Sequence, residues 1–74
     1  LKMRVQFEEL FELSSDGRYI IPKREIRFGA MKLQPEHQIG IDDDSLGIAI
    51  SDWLDKEFDV LDENGVLTIR RIFL

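Results

Sequence analysis

The stretch Asp44-Ser45-Leu46-Gly47-Ile48-Ala49-Ile50-Ser51-Asp52-Trp53-Leu54-Asp55-Lys56-Glu57-Phe58 decides how this chain is read, because its apolar residues recur at helical intervals. Leu46, Ile50, Trp53, Leu54 and Phe58 fall on one side of a 3.6-residue repeat, with Asp52, Asp55 and Lys56 opposite. Asp42, Asp43, Asp44 and Ser45 stand just ahead, where oxygen acceptors satisfy free amide hydrogens and negative charge complements a helix N-terminus. The spacing predicts one amphipathic helix over about residues 45–57, with Trp53 as its large core anchor.

Downstream, Asp62-Glu63-Asn64-Gly65 separates Phe58-Asp59-Val60-Leu61 from Val66-Leu67-Thr68-Ile69. Asn-Gly suits a type I′ turn, so a C-terminal hairpin turning at Asn64-Gly65 is expected. The chain ends Arg70-Arg71-Ile72-Phe73-Leu74, still strand-like and apolar, and such a strand needs a neighbour to cover it. Upstream, Ser14-Ser15-Asp16-Gly17 reads as a turn before the β-rich Arg18-Tyr19-Ile20-Ile21, which makes a hairpin across Gly17. Met3, Val5 and Phe7 alternate as in a strand, while Phe7, Leu10 and Phe11 fit helical spacing; an extended start is the favoured reading. Pro22 ends its strand or sits on a sheet edge, and Glu25-Ile26-Arg27-Phe28 reads either as resumed strand or as one helical turn. Pro35 and Gly40 mark a short segment in which Ile39 and Ile41 alternate with polar neighbours, which suggests one further brief strand.

The expected fold class is therefore α+β: a small antiparallel sheet of four or five short strands, with the helix of about residues 45–57 packed on one face. At 74 residues the chain is a single domain, 1–74, at the small end of what one core supports. A hydrophobic content of 43% argues for folding, and the absence of cysteine removes both disulfides and thiolate metal sites as reinforcement. No apolar run approaches the roughly 20 residues that span a bilayer, and the first residues lack a signal-peptide core, so a cytoplasmic location without membrane contact is the default expectation. Side-chain amides are confined to Asn64, Gln6, Gln34 and Gln38; with abundant ionic residues this is a composition associated with heat-adapted proteins.

The net charge of −5 is unevenly spread. Residues 17–35 carry a net +4 from Arg18, Lys23, Arg24, Arg27 and Lys32 against Glu25 alone, whereas residues 36–65 carry a net −9. Clustered Lys and Arg gain affinity for phosphate chains by releasing counterions, so these five cations are the candidate nucleic-acid contacts, with Tyr19 and Phe28 interleaved. A solvated face, or an internal complement to the acidic segment, is the plainer account of the same charges.

Asp42-Asp43-Asp44 has the oxygen chemistry that calcium or magnesium prefers, but counting from Asp42 puts Leu46 and Trp53 at the fifth and twelfth loop positions of an EF-hand, where ligands are needed. Capping and solvated charge account for the triplet. Asp62-Glu63-Asn64-Gly65 likewise has the residues that a tight turn requires. His37, the sole histidine, lies in a Pro-led loop between Glu36 and Gln38. A small metal-dependent enzyme would have to combine it with the Asp triplet. No nucleophile elbow, P-loop or dinucleotide-binding glycine pattern occurs, so no cofactor is indicated.

The string Gly17-Arg18-Tyr19-Ile20-Ile21-Pro22-Lys23-Arg24-Glu25-Ile26-Arg27, followed by Leu33-Gln34-Pro35 and Ile39-Gly40-Ile41, resembles the AbrB/SpoVT swapped-hairpin family of DNA-binding regulators over about residues 11–50. The resemblance implies an intertwined dimer that contacts DNA through Arg18, Lys23, Arg24 and Arg27, and it implies a strand at Leu46-Gly47-Ile48-Ala49-Ile50. Taken together, the residues favour a non-enzymatic protein-interaction module whose partner, another protein or a second copy, meets the acidic surface or an exposed sheet edge. A dimeric DNA-binding regulator using residues 18–32 is the first alternative, and the small metal-dependent enzyme the second.

Overall fold

A computed structural model describes residues 1–45, 47 and 49–74. Its described residues form eight strands: β1 (Lys2–Gln6), β2 (Phe11–Leu13), β3 (Tyr19–Pro22), β4 (Ile26–Phe28), β5 (Met31–Leu33), β6 (Ile39–Gly40), β7 (Glu57–Glu63) and β8 (Val66–Phe73). Two short helical turns join them, α1 (Phe7–Leu10) and the 3₁₀ turn η1 (Ile50–Trp53). One sheet has the order β1-β7-β8-β4-β5 and the other β2-β3-β6. The fold is thus mostly β, which corrects the α+β expectation.

The helix expected over residues 45–57 is absent where the chain is described; Leu46 and Ile48 lie outside the described residues. Gly47 has a φ of +88°, Ala49 is extended at φ −61° and ψ 128°, and Glu57 already opens β7. The apolar spacing that looked helical has another solution. In a 3₁₀ turn residues three apart eclipse, so Ile50 and Trp53 point the same way and both are fully buried, while Phe58 reaches the same core from a strand. Gly47, disfavoured inside a helix by about 1 kcal/mol against alanine, adds to the bias toward this broken path.

The single antiparallel sheet is corrected as well. Within the larger sheet β4 runs parallel to β8, Ile26 opposite Leu67 and Phe28 opposite Ile69, while the other pairings are antiparallel. The segment Glu25-Ile26-Arg27-Phe28, left open between strand and helix, holds β4, which the two-residue turn Gly29-Ala30 joins to β5. At the N-terminus both periodicities are real, one after the other: Lys2–Gln6 is a strand, then Phe7–Leu10 a single helical turn whose Glu9 carboxylate accepts the Gln6 amide at 2.8 Å.

The turn between β7 and β8 has Asn64 at φ 56° and Gly65 at φ 84°, the positive pair of a type I′ turn. Across Gly17, β2 pairs with β3, and Ser14 Oγ donates to Asp16 Oδ1 at 2.7 Å while accepting the Tyr19 amide at 3.0 Å. The inner faces of both sheets share one core in which Trp53, Phe11, Phe58, Ile20, Ile26 and Val60 are the deepest side chains. Trp53 lies edge-on to Phe28 and Phe58, with centroids 5.4 and 5.8 Å away. No helix among the described residues is long and apolar enough to cross a membrane.

Candidate interaction surfaces

The five cations singled out in the sequence do not form one patch. Arg18 and Lys23 flank opposite ends of β3, five residues and so about 17 Å apart along an extended chain. Lys23 Nζ donates to the Glu8 carbonyl at 2.6 Å, and Arg24 lies 3.7 Å from the Asp62 carboxylate. Arg27 and Lys32 do come together, directly opposite each other on β4 and β5 and both exposed, with Arg27 3.6 Å from Glu25.

Part of the acidic segment, the loop 42–44 and the turn at 50–53, is drawn together, while Glu57, Asp59 and Glu63 lie on β7. The amide of Ile50 donates to the Asp43 carbonyl and that of Ser51 to the Ile41 carbonyl, which ties the loop carrying Asp42, Asp43 and Asp44 to the turn carrying Asp52. Asp42, Asp44 and Asp52 are exposed. Asp43 Oδ1 accepts the Ser45 amide at 2.7 Å, and hydrogen bonding from the Ser45 side chain and backbone holds its carboxyl below the ordinary range. Among the described residues no three His, Asp or Glu side chains group closely enough to hold a metal ion. His37 is exposed in a turn closed by its own amide on the Gln34 carbonyl at 2.8 Å.

Beside this surface lies a shallow concavity of about 380 Å³, lined by Arg18, Tyr19, Gly40, Ile41 and Asp42. It exists because Tyr19 on β3 is opposite Gly40 on β6, which has no side chain to cover the ring. Tyr19 is accordingly 40% exposed.

The outward face of the five-stranded sheet carries residues that sequence reasoning passed over. One register row reads Lys2, Leu61, Thr68, Arg27 and Lys32 across the five strands, and the next reads Arg4, Asp59 and Arg71. A bulge makes room for an extra arginine. Ile69 opposite Val60 and Ile72 opposite Phe58 both face the core, although three residues apart, because the register shifts between Asp59 and Val60. Arg70 and Arg71 occupy the gap, both exposed. Arg4 reaches across β7, donating from Nε to Glu57 at 2.6 Å, and its guanidinium lies 3.9 Å from the centroid of Phe73; that of Arg71 lies at 5.0 Å. The signal was present in Ile69-Arg70-Arg71-Ile72, where two polar residues interrupt an alternating strand and so announce a bulge. No protein-family model, no curated protein and no solved structure matches the chain.

Proposed function

We propose that the chain is a non-enzymatic protein-interaction module that docks a basic segment of another protein on its acidic surface, with an apolar or aromatic side chain of that segment seated against Tyr19 and Ile41. The concavity beside Asp42 carries this reading: it joins a small apolar floor, flanked by Arg18, to the Asp42 carboxylate, and backbone hydrogen bonds tie the Asp42–Asp44 loop beside it to the turn carrying Asp52. Such a site combines an anchor pocket with a charged rim, the rim contributing mainly to steering and partner choice.

The edges of the larger sheet favour a different chain over a second copy. β1 and β5 are its edge strands, with Arg4 and Lys32 at their centres. Two-fold antiparallel pairing about either centre would set like charges directly opposite each other, a recognised guard against edge association.

The test is an amide-resolved titration with a short Lys- and Arg-rich peptide containing one leucine. Amides of residues 18–19, 40–44 and 51–52 are expected to shift together, with Tyr19→Ala and Asp42→Asn each weakening binding about tenfold. Absence of shifts at millimolar peptide, or shifts indifferent to both substitutions, refutes the proposal.

A further inference from the structure

The outward face of the five-stranded sheet has the opposite charge balance from the rest of the chain. Lys2, Arg4, Arg27, Lys32, Arg70 and Arg71 are six cations on or at this face, against Glu25, Glu57, Asp59 and Glu63, a local net of +2 in a chain of −5. Glu57 and Glu25 are engaged by Arg4 and Arg27; Lys2, Lys32, Arg70 and Arg71 make no ion pair within 4.0 Å among the described residues.

The charges are also arranged. Lys2 on β1 and Arg27 on β4 share a register row and are separated by β7 and β8, three strand spacings or about 14 Å. Between them the floor is uncharged, Leu61 and Thr68, both half-buried. Near the far end of β8 the Arg4 guanidinium and the Phe73 ring form a layered pair at 3.9 Å. An uncharged row between cationic banks accepts a polyanion, with the Asp59 carboxylate confined to the next row between Arg4 and Arg71, and an aromatic layered with a guanidinium offers a plane for a base.

We propose that this face binds single-stranded nucleic acid, its phosphates between Lys2 and Arg4 on one side and Arg27 and Lys32 on the other, with a base stacked at Phe73. Stacking on a flat sheet requires bases that are not already paired, and the longest helix among the described residues, four residues, is too short to read a major groove. The site is distinct from the acidic surface and stands or falls independently of it.

The experiment is fluorescence anisotropy of a labelled oligothymidylate of about 12 nucleotides, a length within the usual site size for such surfaces. Neutralising about four phosphates gives a log–log salt slope of about −2.8, so raising salt from about 20 to about 100 mM is expected to weaken binding about 100-fold. Phe73→Leu is expected to weaken it about tenfold at constant salt. The doubly substituted Lys2→Gln, Lys32→Gln chain, altered only at exposed positions, should bind more weakly with a shallower salt slope. Asp42→Asn should not weaken it. No binding at about 20 mM salt overturns the proposal, as does affinity unchanged in the lysine double variant. Equal competition by oligoglutamate, together with indifference to Phe73→Leu, also overturns it, by marking the face as a general anion surface.

Discussion

Gly65→Ala and Gly40→Ala form a matched pair that isolates backbone conformation from packing. A Cβ at either position meets nothing within 4 Å, so neither substitution creates a clash. They differ in dihedral angle: Gly65 sits at φ 84°, in the second position of the β7–β8 turn, whereas Gly40 in β6 has a negative or extended φ that any residue adopts. Alanine in the left-handed region costs about 1–2 kcal/mol, and its restriction of the unfolded chain returns a fraction of that, which leaves about 1 kcal/mol of destabilisation for Gly65→Ala. At Gly40 only the unfolded-state term operates, a gain of about 0.4–1 kcal/mol. For a chain of this length 1 kcal/mol corresponds to roughly 6 °C in Tm. Thermal and urea unfolding followed by circular dichroism should therefore give a Tm about 6 °C lower for Gly65→Ala and a few degrees higher for Gly40→Ala. Shifts of the same sign and size in both variants would refute the turn assignment, because they would show that the backbone at 64–65 does not demand positive φ.

Three further outcomes are expected. Deleting Arg70 removes the bulge and leaves Ile69, Arg71 and Ile72 in plain alternation opposite Val60, Asp59 and Phe58, so stability should change by no more than about 1 kcal/mol, whereas deleting Thr68 turns the buried Leu67 outward and should abolish cooperative unfolding; hydrogen exchange of β7 and β8 reads both. The Asp16 carboxyl is held below its ordinary value by hydrogen bonds from the Ser14 hydroxyl and then the Arg18 amide, so its contribution to stability is complete above about pH 4 and is lost as the pH falls through the depressed folded-state pKa; carbon-detected titration should show a midpoint below 3.8 that rises toward it in Ser14→Ala.

Local chemistry was legible in the sequence wherever a few neighbouring residues suffice. Asn64-Gly65 and Asp16-Gly17 mark turns because positive φ and short side-chain acceptors act within four residues, and the strands flanking them follow from alternation. The stretch from Asp44 to Phe58 misled because burial at i, i+3, i+4 and i+8 does not require a helix. Ile50 and Trp53 reach the core from one 3₁₀ turn and Phe58 from β7, and strand pairing of Glu57 with both Gln6 and Phe73 outweighs the weak helical preference of the segment. Among candidate site residues, charge counting found Arg27 and Lys32 but grouped them with Arg18, Lys23 and Arg24, which the fold disperses; the grouping of Arg4 with Arg71 and Phe73 was missed because Arg4 is far from the other two in the chain and meets them only across β7.

By itself the amino-acid order determined the turns, most strand positions, the cysteine-free apolar core centred on Trp53 and the separation of basic from acidic segments. Tertiary structure alone decided that β4 runs parallel to β8, that two sheets share one core, and which charges stand together. The physical reason is range: turn and strand preferences act between neighbours in the chain, whereas sheet order and surface composition depend on pairings between residues as distant as Lys2 and Leu61, which have meaning only once the strands lie side by side.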